Sequence, residues 1–496
     1  MKLHAGARGV ILPLLFSVCV FTLPALDLFV NGTPRTTITY DGIADLLYLV
    51  PVGGSLVHGI SADELLPLFV SAYRVEISGS GSRIMEGDDL ADRFSRWYLV
   101  PRGAEFDLEG DGWRIAGVKT IRVYGEVAQA ADVEVWVSWE GVALLKREIA
   151  RFAELHGIRI KATEVPKTDS KLLSVLRGGG TPPDVIMVQS DYIPDLVAAR
   201  AIQNVDYLLP ETITSKGLFS FRAGGKVWAV PFYFDSQLLF YNPALVREPI
   251  PSSWSLSDME RIAERISRTE IVPMSWNVYS AYWLVPFQVS FGKSPFMEAD
   301  GRVVIDDQPT GDALRYLLRL KSLGYLAEME RDAMIAEFVS GNVAMILSGS
   351  YSIPEFSELG IPFAVAPYPM NDMTGLPVSP LLDFKALAIP RKTKNPVLAR
   401  RLIQYLCGIG VQQRFTSEMA KLPADERAWD IVKERNPYYP VLRRSADTGT
   451  PIPPERGYAV FKGTMWKLLR FVLEGQLTVE ETLRQGQTVI DAGIGR

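Results

Sequence analysis

Apolar and polar residues alternate in short runs over residues 27 to about 130, as in Trp113-Arg-Ile-Ala-Gly-Val-Lys-Thr-Ile-Arg-Val-Tyr124. A period of two sends successive side chains to opposite faces, so these runs predict half-buried strands. Together with one helix predicted near Ser61 to Ala72, the segment reads as a small α+β module. No repeat or low-complexity tract stands out along the chain.

From Asp132 the pattern changes. Val133-Glu-Val-Trp-Val137 is a strand, Leu144 to Leu155 carries the apolar spacing of an amphipathic helix, and Gly157-Ile-Arg-Ile-Lys-Ala162 returns as a strand. Strand, helix and strand in this order predict a crossover in a parallel sheet. A second helix over Ser170 to Arg177 ends at Gly178-Gly-Gly-Thr-Pro-Pro183, and Asp184-Val-Ile-Met-Val188 follows as a buried strand. The triple glycine lacks the Lys-Ser/Thr of a phosphate-binding loop and follows a helix instead of opening one, so it reads as a turn. Gln189-Ser-Asp-Tyr192 leaves the strand at its carboxyl end, the edge at which open α/β sheets place ligands. Further on, Gly224-Gly-Lys-Val-Trp-Ala-Val-Pro231 reads as a hairpin turn feeding another strand.

The 496 residues suffice for two or three packed units. A formal charge of −5, with Lys and Arg scattered, supplies no basic field for a phosphate backbone and excludes nucleic acid as a partner. Lys2 and Arg8 precede an uncharged stretch from Gly9 to Leu26 that is closed by Asp27, the anatomy of an export signal over residues 1–26, with cleavage after Ala25 and a retained membrane anchor as the alternative. The protein is therefore expected outside the cytoplasm, in the periplasm or at the cell surface. Only Cys19 and Cys407 are present, so no intramolecular disulfide is expected once a signal is removed. Three histidines, without a nucleophile elbow or zinc motif, argue against an enzyme, a metal site or a cofactor.

Several stretches resemble, in order, the maltose-binding type of bacterial extracellular solute-binding protein. They are the strand at Asp184, Gly225-Lys-Val-Trp-Ala-Val-Pro231, Tyr241-Asn242, Phe338-Val-Ser-Gly-Asn-Val-Ala-Met345 with Ser348-Gly-Ser-Tyr351, and Glu474-Gly-Gln-Leu-Thr-Val-Glu-Glu-Thr-Leu483. The resemblance covers about residues 132–496. It implies the two-lobed α/β periplasmic-binding-protein fold of type II, with a hinge between lobes, preceded by the α+β module over 27–130. Lobe one would comprise 131–236 with 382–426, and lobe two 237–381 with 427–496.

The function so implied is capture of a small polar ligand, a mono- to oligosaccharide, by hinge closure, and its delivery to a membrane ABC permease by a monomeric receptor. A sensory or scaffold role through the module is the alternative, with a glycoside hydrolase behind it. Carried over by position, the ligand contacts would be Trp139 and Glu140 after the first strand, Asp191 with Tyr192, and Asp235 at the lobe crossing. Tyr351 would be an aromatic platform, joined by the aromatic loop Trp276, Tyr279, Tyr282 and Trp283 and by Phe461. Carboxylates bind sugar hydroxyls and aromatic faces cover sugar C–H surfaces, which is why both are sought. Val188 and Lys462 stand where the maltose-binding type carries aromatics, which makes maltodextrin itself a doubtful ligand.

Overall fold

A computed structural model describes residues 24–494 apart from 67–68, 89, 111, 128–131, 295 and 299–300. The expected export segment thus lies almost wholly outside the described residues. Its last three residues, Pro24 to Leu26, are described: Ala25 and Leu26 open the strand Ala25–Val30, and Leu26 is buried in the module core.

The N-terminal module is built from two five-stranded sheets. Contrary to the sequence reading, it is an internal duplication. Hairpin, short helix and hairpin occur twice, about 50 residues apart, and Tyr-Leu-Val-Pro recurs at Tyr48 and Tyr98. The register repeats too: Tyr48 pairs with Gly59 and Val52 with Ser55, while Tyr98 pairs with Glu109 and Arg102 with Glu105. Few identities survive because the pleat demands only alternation, not particular residues. The helix expected over Ser61 to Ala72 is absent. Ser61 ends a strand, Ala62–Glu64 is one 3-10 turn, and Phe69 begins the strand Phe69–Ser78, whose residues Phe69, Ala72, Val75 and Ile77 are buried.

The module sits on helices of the following unit. Ile409 and Ile431 complete its core. Gly410 admits the Tyr48 ring, since a Cβ there would lie 2.6 Å from the ring's Cζ. Arg401 donates to the carbonyl of Phe69 at 3.2 Å and pairs with Asp92. The helix Trp429–Arg435, which carries Ile431, therefore packs on the module's side of the molecule.

An 11-stranded sheet runs through the rest of the described chain. Its organising element is the strand Val230–Tyr241, buried along its whole length. Val230 to Ser236 pair with the strand Leu381–Ala388, whereas Gln237 to Tyr241 pair with Val343–Gly349. One strand thus belongs to two packed bodies. On the first side lie Asp132–Val137, Arg159–Glu164 and Val185–Gln189; on the second lie Val272–Trp276 and Leu326–Glu328. The predicted first crossover is present: the helix Val142–His156 joins two parallel neighbouring strands and stops at Gly157, whose φ of 63° suits a residue without Cβ.

Candidate functional site

The carboxyl ends of the lobe-one strands face the other body across a cleft, and a cavity of about 500 Å³ lies between them. Lobe one supplies Gln189 and Asp191, from the end of the strand Val185–Gln189 and the turn after it, with Asp383 from the strand Leu381–Ala388. The opposite wall is the amino end of the helix Ala281–Ser290, with Ser280 and Tyr282, and one face of the helix Arg456–Leu473. On that face Tyr458, Lys462 and Trp466 recur every four residues, the spacing that stacks side chains along a helix. Trp466 is 52% exposed, unusual for so large an apolar side chain.

The polar groups are held in fixed pairs. Lys462 Nζ meets Asp191 Oδ2 at 2.7 Å across the cleft. Lys385 Nζ pairs with Asp383 Oδ2 at 2.6 Å, and Gln189 Nε2 donates to the same oxygen at 3.0 Å. Burial pushes the Asp383 carboxyl above the usual carboxylate range, against the pull of Lys385. For Lys385, burial works against the charge, but Asp383 and Asp235 outweigh it and hold the amine above its ordinary pKa. Burial, reinforced by Asp191 and Asp383, also keeps Tyr458 neutral, and its buried hydroxyl has no hydrogen-bond partner among the described residues.

Of the residues singled out from sequence, Asp191 and Tyr282 line this cavity. Trp139 and Tyr192 lie beside it as a tilted ring pair with centroids 6.1 Å apart, and Lys385 Nζ sits 5.3 Å from the Trp139 ring. The φ of Trp139 is 66°, a left-handed conformation that costs a non-glycine residue about 1–3 kcal/mol and is typical of functional loops. Glu140 is half-exposed, 3.6 Å from Lys421. Tyr351 is half-buried, folded back over Gly349, with Lys421 Nζ 6.0 Å from its ring.

The others are packed away from the cavity. Asp235 is buried beneath the cleft in the crossing strand, where it pairs with the fully buried Lys421 and accepts from Ser350 Oγ at 2.8 Å. Trp276, 1% exposed, stacks on Phe287 in the lobe-two core. Trp283 is buried against Tyr282, and Tyr279 faces Arg470. Phe461 is enclosed by Phe296 and Tyr458, because its helix turns that residue inward and the next, Lys462, toward the cleft. Aromatics at mixed spacing around a helix cannot all face one cavity.

Sequence reasoning missed Gln189, Asp383, Tyr458 and Trp466 as cleft residues. Two signals were there to be read: Asp383 and Lys385 interrupt an apolar strand on one face, and Tyr458, Lys462 and Trp466 share a helical stripe.

The sequence profile of the bacterial extracellular solute-binding protein family matches residues 149–428, more than half of the chain. The chain belongs to that family. Relatives of this solute-binding protein include the galactooligosaccharide-binding protein of Bacillus subtilis strain 168, 23% identical over 314 residues, 60% of this chain and 73% of the relative. The maltodextrin-binding protein of the same organism is 20% identical over 321 residues, 61% of this chain and 76% of the relative. Among solved structures, the GacH receptor of Streptomyces glaucescens superposes with a TM-score of 0.66 at 20% identity, covering 74% of this chain and 99% of the receptor. The maltotriose binding protein of Thermus thermophilus gives 0.64 at 20% identity, over 73% of this chain and 100% of the other. These likenesses establish the two-lobed, maltose-binding type of fold. The family match begins after the duplicated module, which lies outside it.

Proposed function

We propose that this solute-binding protein is an exported, monomeric receptor that captures a mono- to oligosaccharide between its lobes and hands it unaltered to a membrane ABC permease. The observation that carries the sugar reading is Trp466, an exposed indole on the wall of a cavity whose other sides offer the carboxylates of Asp191 and Asp383. An indole face covers the C–H surface of a pyranose while carboxylates accept from its hydroxyls, and the two together match the alternating apolar and polar surface of a sugar. The names of the relatives agree with this class. The lobes move because a ligand touching both favours the closed state by its differential affinity.

The test is calorimetric titration and thermal unfolding with maltooligosaccharides, galactooligosaccharides, polyols, sugar phosphates and oligopeptides. One sugar class should bind saturably and be recovered unchanged. Trp466→Ala should weaken that binding about 10-fold, close to 1.4 kcal/mol, without altering the melting of the sugar-free protein. Saturable binding of a peptide, or hydrolysis of the sugar, refutes the reading.

A further inference from the structure

The Lys462–Asp191 pair is the ionic contact that lines the cavity from both sides at once. Asp191 stands on the turn Ser190–Tyr192 of lobe one, and Lys462 on the helix Arg456–Leu473, which packs against Ala281–Ser290 and Val479–Gly493 in the opposite body. Their side chains are 17% and 42% exposed, so the pair is partly shielded yet reachable from the cleft. With the pair made, about 500 Å³ remains open beside it, within the range of small-molecule sites. The contact and a bound solute are therefore compatible. Asp191 Oδ2 is occupied by Lys462, which leaves its other oxygen to accept from a solute hydroxyl, and the ammonium retains further donors.

We propose that Lys462 is a positioning residue for solute capture: it pins Asp191 across the cleft and straps the two lobes together before a solute arrives. The strap raises the fraction of molecules in the closed, binding-competent form, and apparent affinity scales with that fraction. It rests on the cavity being the solute site, but the strap itself acts in the empty protein and can be tested there.

Fluorophores on cysteines introduced at exposed Lys171 and Glu358 report the interlobe distance by energy transfer, the native Cys407 being buried. In the sugar-free protein, Lys462→Met should lengthen that distance, as should 1 M sodium chloride in the wild type, while Lys462→Arg should restore it. Salt should have little effect on Lys462→Met, since an ammonium–carboxylate pair is what it screens. With the sugar found by the panel above, Lys462→Met should weaken binding about fivefold and flatten its salt dependence; Asp191→Asn added to it should contribute far less than alone. An interlobe distance unchanged by Lys462→Met and by salt overturns the strap. If no sugar binds but the distance responds, the strap stands and the carbohydrate reading falls.

Discussion

Replacing Asp235 with alanine separates two roles for that carboxylate. The resemblance makes it a solute contact, whereas the structure buries it at 1% exposure against Lys421, itself 0% exposed. Removing one member of a buried pair leaves a desolvated charge and costs about 3–5 kcal/mol. Glu140, at 3.6 Å from Lys421, partly compensates and moves the expectation to the lower end, while the lost acceptor of Ser350 adds about 1 kcal/mol. Asp235→Ala should therefore destabilise the sugar-free protein by about 3–4 kcal/mol in urea unfolding. The double variant Asp235→Leu with Lys421→Met removes both charges and should return to within about 1–2 kcal/mol of wild type. The reasoning fails if Asp235→Ala alone unfolds like the wild type. If that stable variant also loses its sugar, Asp235 is the solute contact that the resemblance implied.

Stability between pH 4.5 and 6.5 should depend on two opposed groups. Burial lifts Glu64 from 4.5 to about 7, so the folded state binds the extra proton and stability falls as pH rises through that window; burial lowers His156 from 6.5 to about 4, so the unfolded state binds the proton and stability falls as pH drops. Each contributes up to about 3 kcal/mol, with opposite sign. Glu64→Gln should expose a loss of stability on acidification from pH 6.5 to 4, and His156→Gln a gain from pH 7 to 4.5, both read from urea midpoints. A chain begun at Asp27 lacks the buried Leu26 and should melt with a module about 2–3 kcal/mol less stable than one begun at Pro24. Gly410→Ala forces a Cβ against Tyr48, whose hydroxyl is held by Glu64 at 2.7 Å; faster hydrogen exchange over Tyr48–Val52 should show the module loosened from its helices.

The family and the broad fold were legible in the sequence because both rest on local patterns. Val133 to Val137, Leu144 to Leu155 and Asp184 to Val188 carry periodicities of two and 3.6 that hold whatever they pack against, and the ordered motifs from Asp184 to Leu483 name the family. Asp191 was also within reach, because the end of a parallel strand is a ligand edge in this class of sheet. Which aromatics face the cleft was not within reach. Phe461 and Lys462 are adjacent, and only the rotation of their helix against Phe296 turns one inward and the other toward Asp191. Asp235 reads as a ligand contact until Lys421, 186 residues away, is folded beside it. The duplicated module left one trace in the sequence, Tyr-Leu-Val-Pro at Tyr48 and Tyr98, but strand pairing conserves register and alternation with few side chains, so the matching partners that prove the repeat come only from the tertiary structure.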